Sequence, residues 1–75
     1  MTLLAAVQRS WREVVGDAIA DEASPVAERA GVVTVSCSSA AWAQELDLLG
    51  PAILERLNAN ISDRRVARLR CTSGR

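Results

Sequence analysis

The apolar residues of this 75-residue chain change their spacing twice, and that switch restricts the fold more than any other feature. Leu4, Val7, Trp11, Val15 and Ala18 recur every three or four residues, the period of one helix face. Between Val26 and Cys37 the period falls to two. It returns to three and four through Trp42, Leu46, Leu49, Ile53 and Leu57. So short a chain reading helix, strand, helix buries its apolar faces by laying helices on a sheet, which predicts an α+β class.

The first helix is expected over 3–15, with Arg9 and Glu13 as an opposite-charge pair on its polar face. Gly16 suits a C-cap or a kink, and Asp17 to Ala20 either continue the helix or start a short second one. Asp21 to Ser24 and Pro25 end helical structure. A hairpin follows: a short strand Val26–Arg29, a tight turn at Ala30-Gly31, and the β-branched strand Val32–Cys37, with Val33, Val35 and Cys37 toward the core. Ser38 and Ser39 are good N-caps. Gly50-Pro51 interrupts the next stripe; proline disrupts a helix interior but suits a first turn, which predicts helices 39–49 and 51–58, closed by Asn58-Ala59-Asn60. The last strand is expected over 66–71, with Ala67, Leu69 and Cys71 inward and Val66, Arg68 and Arg70 outward. A right-handed helical crossover sets it parallel to 32–37. The expected architecture is one domain over 1–75 with order α-β-β-α-α-β: a three-stranded sheet covered on one face by helices, with both cysteines at one end of neighbouring strands.

The absent residue types exclude several functions. Without histidine, most zinc sites and every Ser-His or Cys-His nucleophile are ruled out. Trp11 and Trp42 are the only aromatics, too few for a base-stacking platform. Gly16, Gly31, Gly50 and Gly74 form no phosphate-binding glycine loop. No general base pairs with Ser38, Ser39, Cys37 or Cys71, so no catalytic residue, metal site or cofactor is expected. Cys37 and Cys71, 34 positions apart, read as small buried hydrophobes kept reduced in cytoplasm. No apolar run approaches a membrane span. No basic segment precedes Leu3–Val7, which argues against a secretory leader. A cytoplasmic binding or adaptor module is expected, with no membrane partner.

The formal charge is zero but poorly mixed. Glu13, Asp17, Asp21, Glu22 and Glu28 lie together without a cation, while Arg64, Arg65, Arg68, Arg70 and Arg75 lie together without an acid. All nine cations are arginine, a preference that follows either from bidentate recognition of phosphate or carboxylate or from a high-GC genome.

The element order is similar to that of a type II KH domain. The junction Leu48-Leu49-Gly50-Pro51 departs from it, holding one glycine and no basic residue where KH proteins clamp a nucleic-acid backbone with G-x-x-G. Three segments in order, Trp11-Arg-Glu-Val-Val-Gly16, Val33-Thr-Val35 leading into Ser38-Ser-Ala-Ala-Trp42-Ala-Gln-Glu-Leu46, and Leu54-Glu-Arg-Leu57-Asn58, resemble the DciA family of bacterial helicase loaders or operators. The resemblance covers roughly residues 3 to 71 and is most specific in the Ser-x-x-Trp-Ala-Gln-Glu-Leu block. It implies a KH-like domain that contacts the replicative helicase DnaB and assists its placement on DNA.

Trp11 and Trp42 read either as core packing or as helicase-binding anchors, and Gln44 and Glu45 either as a solvated helix face or as polar contacts to that partner. Arg64, Arg65, Arg68 and Arg70 either protect an edge strand from aggregation or contact phosphates of single-stranded DNA. In the second case binding falls with salt at a log–log slope of about −3 for four contacts. The expected function is a non-enzymatic adaptor of replication initiation; the alternative is a stand-alone single-stranded nucleic-acid-binding module.

Overall fold

The computed structural model describes residues 2–61 and 65–73. Its elements are α1 (Leu3–Val15), α2 (Asp17–Glu22), β1 (Ala23–Arg29), β2 (Val32–Cys37), α3 (Ala40–Asn60) and β3 (Arg68–Ser73). The sheet runs β1-β2-β3, with β1 antiparallel and β3 parallel to β2. The fold is α+β, a three-stranded mixed sheet with helices, consistent with a KH-like order.

Thr2 caps α1, its hydroxyl accepting from the Ala5 amide at 3.0 Å. The buried seam is Leu3, Val7, Trp11 and Val14, turned slightly from the expected stripe: Val15 and Leu4 are half-buried and Ala18 is exposed. Gly16 ends α1 at φ 90°, its amide bonding the Arg12 carbonyl at 2.8 Å, and the chain restarts as α2. That left-handed turn places a helix boundary where a residue with a Cβ is strained. α2 extends through Asp21 and Glu22, which the sequence assigned to a helix-ending stretch. The Arg12 guanidinium holds it by ion pairs to Asp17 and Asp21, each at 3.0 Å.

β1 begins three residues before the expected strand and runs through Pro25. An edge strand tolerates proline, and the register slips between Pro25 and Ala27, leaving Val26 half exposed in a bulge. Ala30 (φ 52°) and Gly31 (φ 85°) form the turn. A Cβ on Gly31 would lie 3.2 Å from the Ala67 side chain, so this glycine also admits the approach to β3.

The expected split of the long helix is overturned: α3 is continuous for 21 residues with Pro51 inside it. Interior proline costs about 3 kcal/mol. Leu46 on one side of it and Ile53 and Leu57 on the other are buried in the same core, each contributing about 1.5–3 kcal/mol, so straight continuation wins. The helix also passes Asn58, the expected terminator. Leu49, placed on the apolar stripe by its spacing, is 38% exposed.

β3 starts two residues later than expected. Val66, expected outward, is 2% exposed and enters the core just before the strand, while Ala67, expected inward, is exposed. The reason is a side-chain clamp: Asn58 Nδ2 donates to the Val66 carbonyl at 3.0 Å, and the Val66 amide donates to Asn58 Oδ1 at 2.8 Å. Val7, Val33, Val35 and Leu57 are fully enclosed at the centre of the core.

Candidate functional site

The register gives each sheet face a distinct chemistry. Val33 faces Leu69 and Val35 faces Cys71, on the side covered by α1 and α3. The opposite side, free of helices, aligns Val32 with Arg68, Thr34 with Arg70 and Ser36 with Thr72, and brings Ser24, Ala27 and Arg29 from β1. That open face carries Arg29, Arg68 and Arg70, all exposed, and no carboxylate among its described residues. Arg29 escaped sequence reasoning because it belongs to a different strand from the arginine cluster; alternation across the hairpin is the signal that finds it. Arg65 is exposed ahead of β3 and outside this face, and Arg64 lies outside the described residues.

The two tryptophans diverge. Trp11 is 4% exposed and its indole N–H donates to the Ala23 carbonyl at 2.9 Å, tying α1 to the start of β1. Trp42 is half-buried in the first turn of α3, where its amide donates to the Ser39 hydroxyl at 3.2 Å. Gln44 and Glu45 are exposed on the same turn and the next, and Leu48, 77% exposed, continues that surface. Sequence spacing gave no reason to single out Leu48. The structure thus brings Trp42, Gln44 and Glu45 together on one end of α3 and encloses Trp11.

Between α3 and β3 runs a groove of about 250 Å³ lined by Leu46, Asp47, Gly50, Pro51, Leu54, Leu69 and Cys71 among others. Both cysteines are free thiols and sit diagonally on the helix-side face, Cys71 opposite Val35 and Cys37 opposite Ser73. Burial, then the negative charge of Asp47, pushes the Cys71 thiol up to about 12; burial raises Cys37 as well. A thiol held protonated is a poor nucleophile. Among the described residues no cluster of three His, Cys, Asp or Glu could hold a metal ion. No described helix is long and apolar enough to cross a membrane.

Residues 2–71 match the family described as "Dna[CI] antecedent, DciA". The chain belongs to the DciA family. Relatives of this DciA chain include a UPF0232 protein of Mycolicibacterium smegmatis, 45% identical over 71% of the chain and 27% of that protein. A UPF0232 protein of Rhodococcus jostii is 40% identical over 83% of the chain and 33% of its own length. One from Streptomyces avermitilis is 39% identical over 73% and 32%. The DciA chain therefore spans about a third of the length of the curated relatives it matches.

Proposed function

We propose that this chain is a non-enzymatic adaptor of bacterial DNA replication initiation that binds the replicative helicase DnaB and assists its loading on DNA. The observation that carries the reading is the DciA match across residues 2–71, which supports a replication-related role. The helicase contact falls on the amino-terminal half of α3, where Trp42 offers an indole flank and Gln44, Glu45 and Leu48 are exposed beside it. Trp11 acts there indirectly, by fixing α1 against β1.

The test is retention of helicase by the immobilised chain at micromolar concentration, with circular dichroism run on every variant. Glu45→Arg and Gln44→Ala keep the fold and weaken retention. A folded wild-type chain that retains no helicase overturns the placing of the interface within these residues. A second reading has support in Arg29, Arg68 and Arg70 on one acid-free face: single-stranded DNA held by its phosphates. Three such contacts give a log–log salt slope of about −2.

A further inference from the structure

β3 is an edge strand, and its outer edge pairs with no other strand among the described residues. Unpaired backbone groups along such an edge are a template for another extended chain. Its side chains alternate sharply: Arg68 and Arg70 point to the open face, Leu69 and Cys71 to the helix side. On the helix side the edge is bordered by the 250 Å³ groove, floored by Leu46, Leu54, Leu69 and Cys71. An added Cβ on Gly50, at the groove wall, would meet nothing within 4 Å, so there is open space above it.

We propose that the β3 edge takes an extended acidic peptide segment of a partner protein, whose carboxylates alternate with apolar side chains. Its backbone pairs with β3, its carboxylates meet Arg68 and Arg70 on the open face, and its apolar side chains enter the groove. Asp47 lines the groove and disfavours acidic side chains there, whereas Arg68, which also borders it, and Arg70 draw carboxylates toward the open face. A second copy of this chain is disfavoured, because edge-to-edge pairing would set Arg68 and Arg70 of both strands on one face. DNA uses the arginines but leaves the groove and the edge backbone unused.

The probe is a fluorescein-labelled octapeptide of alternating Asp and Leu, read by polarisation with the 75-residue chain. Controls are a peptide of the same composition with alternation scrambled, a Lys-Leu counterpart, and an oligo-dT strand. The alternating acidic peptide is expected to bind at least about tenfold more tightly than either control peptide. Arg68→Glu with Arg70→Glu inverts the preference toward the Lys-Leu peptide. Gly50→Leu fills the groove and weakens peptide binding about tenfold, while Gly50→Ala and oligo-dT binding are unaffected; circular dichroism confirms that each variant folds. Equal binding of scrambled and alternating peptides overturns the proposal. So does peptide binding insensitive to Gly50→Leu, which leaves the arginines as a phosphate surface only.

Discussion

Replacing Pro51 by alanine tests the most consequential feature of α3. Within a continuous helix Pro51 lacks the amide that would bond the Asp47 carbonyl one turn earlier, and its ring crowds that carbonyl. Alanine restores the bond and relieves the crowding, a gain of about 3 kcal/mol on the helix-interior scale. The unfolded chain becomes more flexible, which takes back about 0.4–1 kcal/mol. The net expectation is a stabilisation of about 2 kcal/mol. For a chain of this size that raises the melting temperature by roughly 8–16 °C. Denaturant unfolding followed by tryptophan emission, with helicity read at 222 nm, measures it; the midpoint moves while the slope is unchanged. Had Pro51 stood in the first turn of a separate helix, its missing amide would have had no partner to lose, and alanine would be neutral or destabilising. Either of those results refutes the continuous helix.

Asn58→Ala removes both bonds to the Val66 backbone and leaves two part-buried groups unpaired, a loss of about 2–4 kcal/mol by denaturation. Faster amide exchange at Val66 to Cys71 than elsewhere is expected, and uniform exchange refutes the clamp. Ala30→Asn relieves a left-handed residue at the hairpin turn and stabilises by about 0.5–1 kcal/mol. Cys71 binds its proton more tightly folded than unfolded, so its contribution is intact below the ordinary thiol range and is lost as pH rises from about 9 toward 12. Cys71→Ser flattens that decline, and alkylation of the native thiol at pH 8 is far slower than that of free cysteine.

Elements whose local chemistry agreed with their burial were legible in the sequence. β2 is β-branched and fully alternating, and its burial follows that alternation residue by residue. α1 carries its apolar seam up to Gly16, a good end signal. Where two signals conflicted, tertiary packing decided. Pro51 argues for a break, but residues on both sides of it reach one core. Pro25 argues against a strand, but an edge position with a bulge removes the objection. The start of β3 was illegible for another reason: Asn58 acts through its side chain across eight positions, and spacing carries no trace of that. The binding surfaces inherit this division. Trp42, Gln44 and Glu45 share one helix end and were visible together, whereas Arg29 joins Arg68 and Arg70 only through pairing of three strands.

The clamp at Asn58 connects these local facts to what the molecule can engage. The clamp holds the chain at Val66 just ahead of β3, and parallel pairing with β2 then sets the phase in which Arg68 and Arg70 fall on the side away from the helices and Leu69 and Cys71 on the side toward them. A slip of one residue would exchange those faces and put guanidinium groups against the core. With the observed phase, the exposed end of α3 and the arginine face lie in opposite layers of a body whose shortest extent is 19 Å. That depth separates two partners sterically while exceeding the distance over which exposed charges interact at physiological salt, about 8 Å. A helix-side partner and a sheet-side ligand therefore bind without competition. An adaptor needs that property: oligo-dT at saturation should leave helicase retention unchanged, and displacement of helicase by oligo-dT would place both on one surface and remove the basis for two-sided binding.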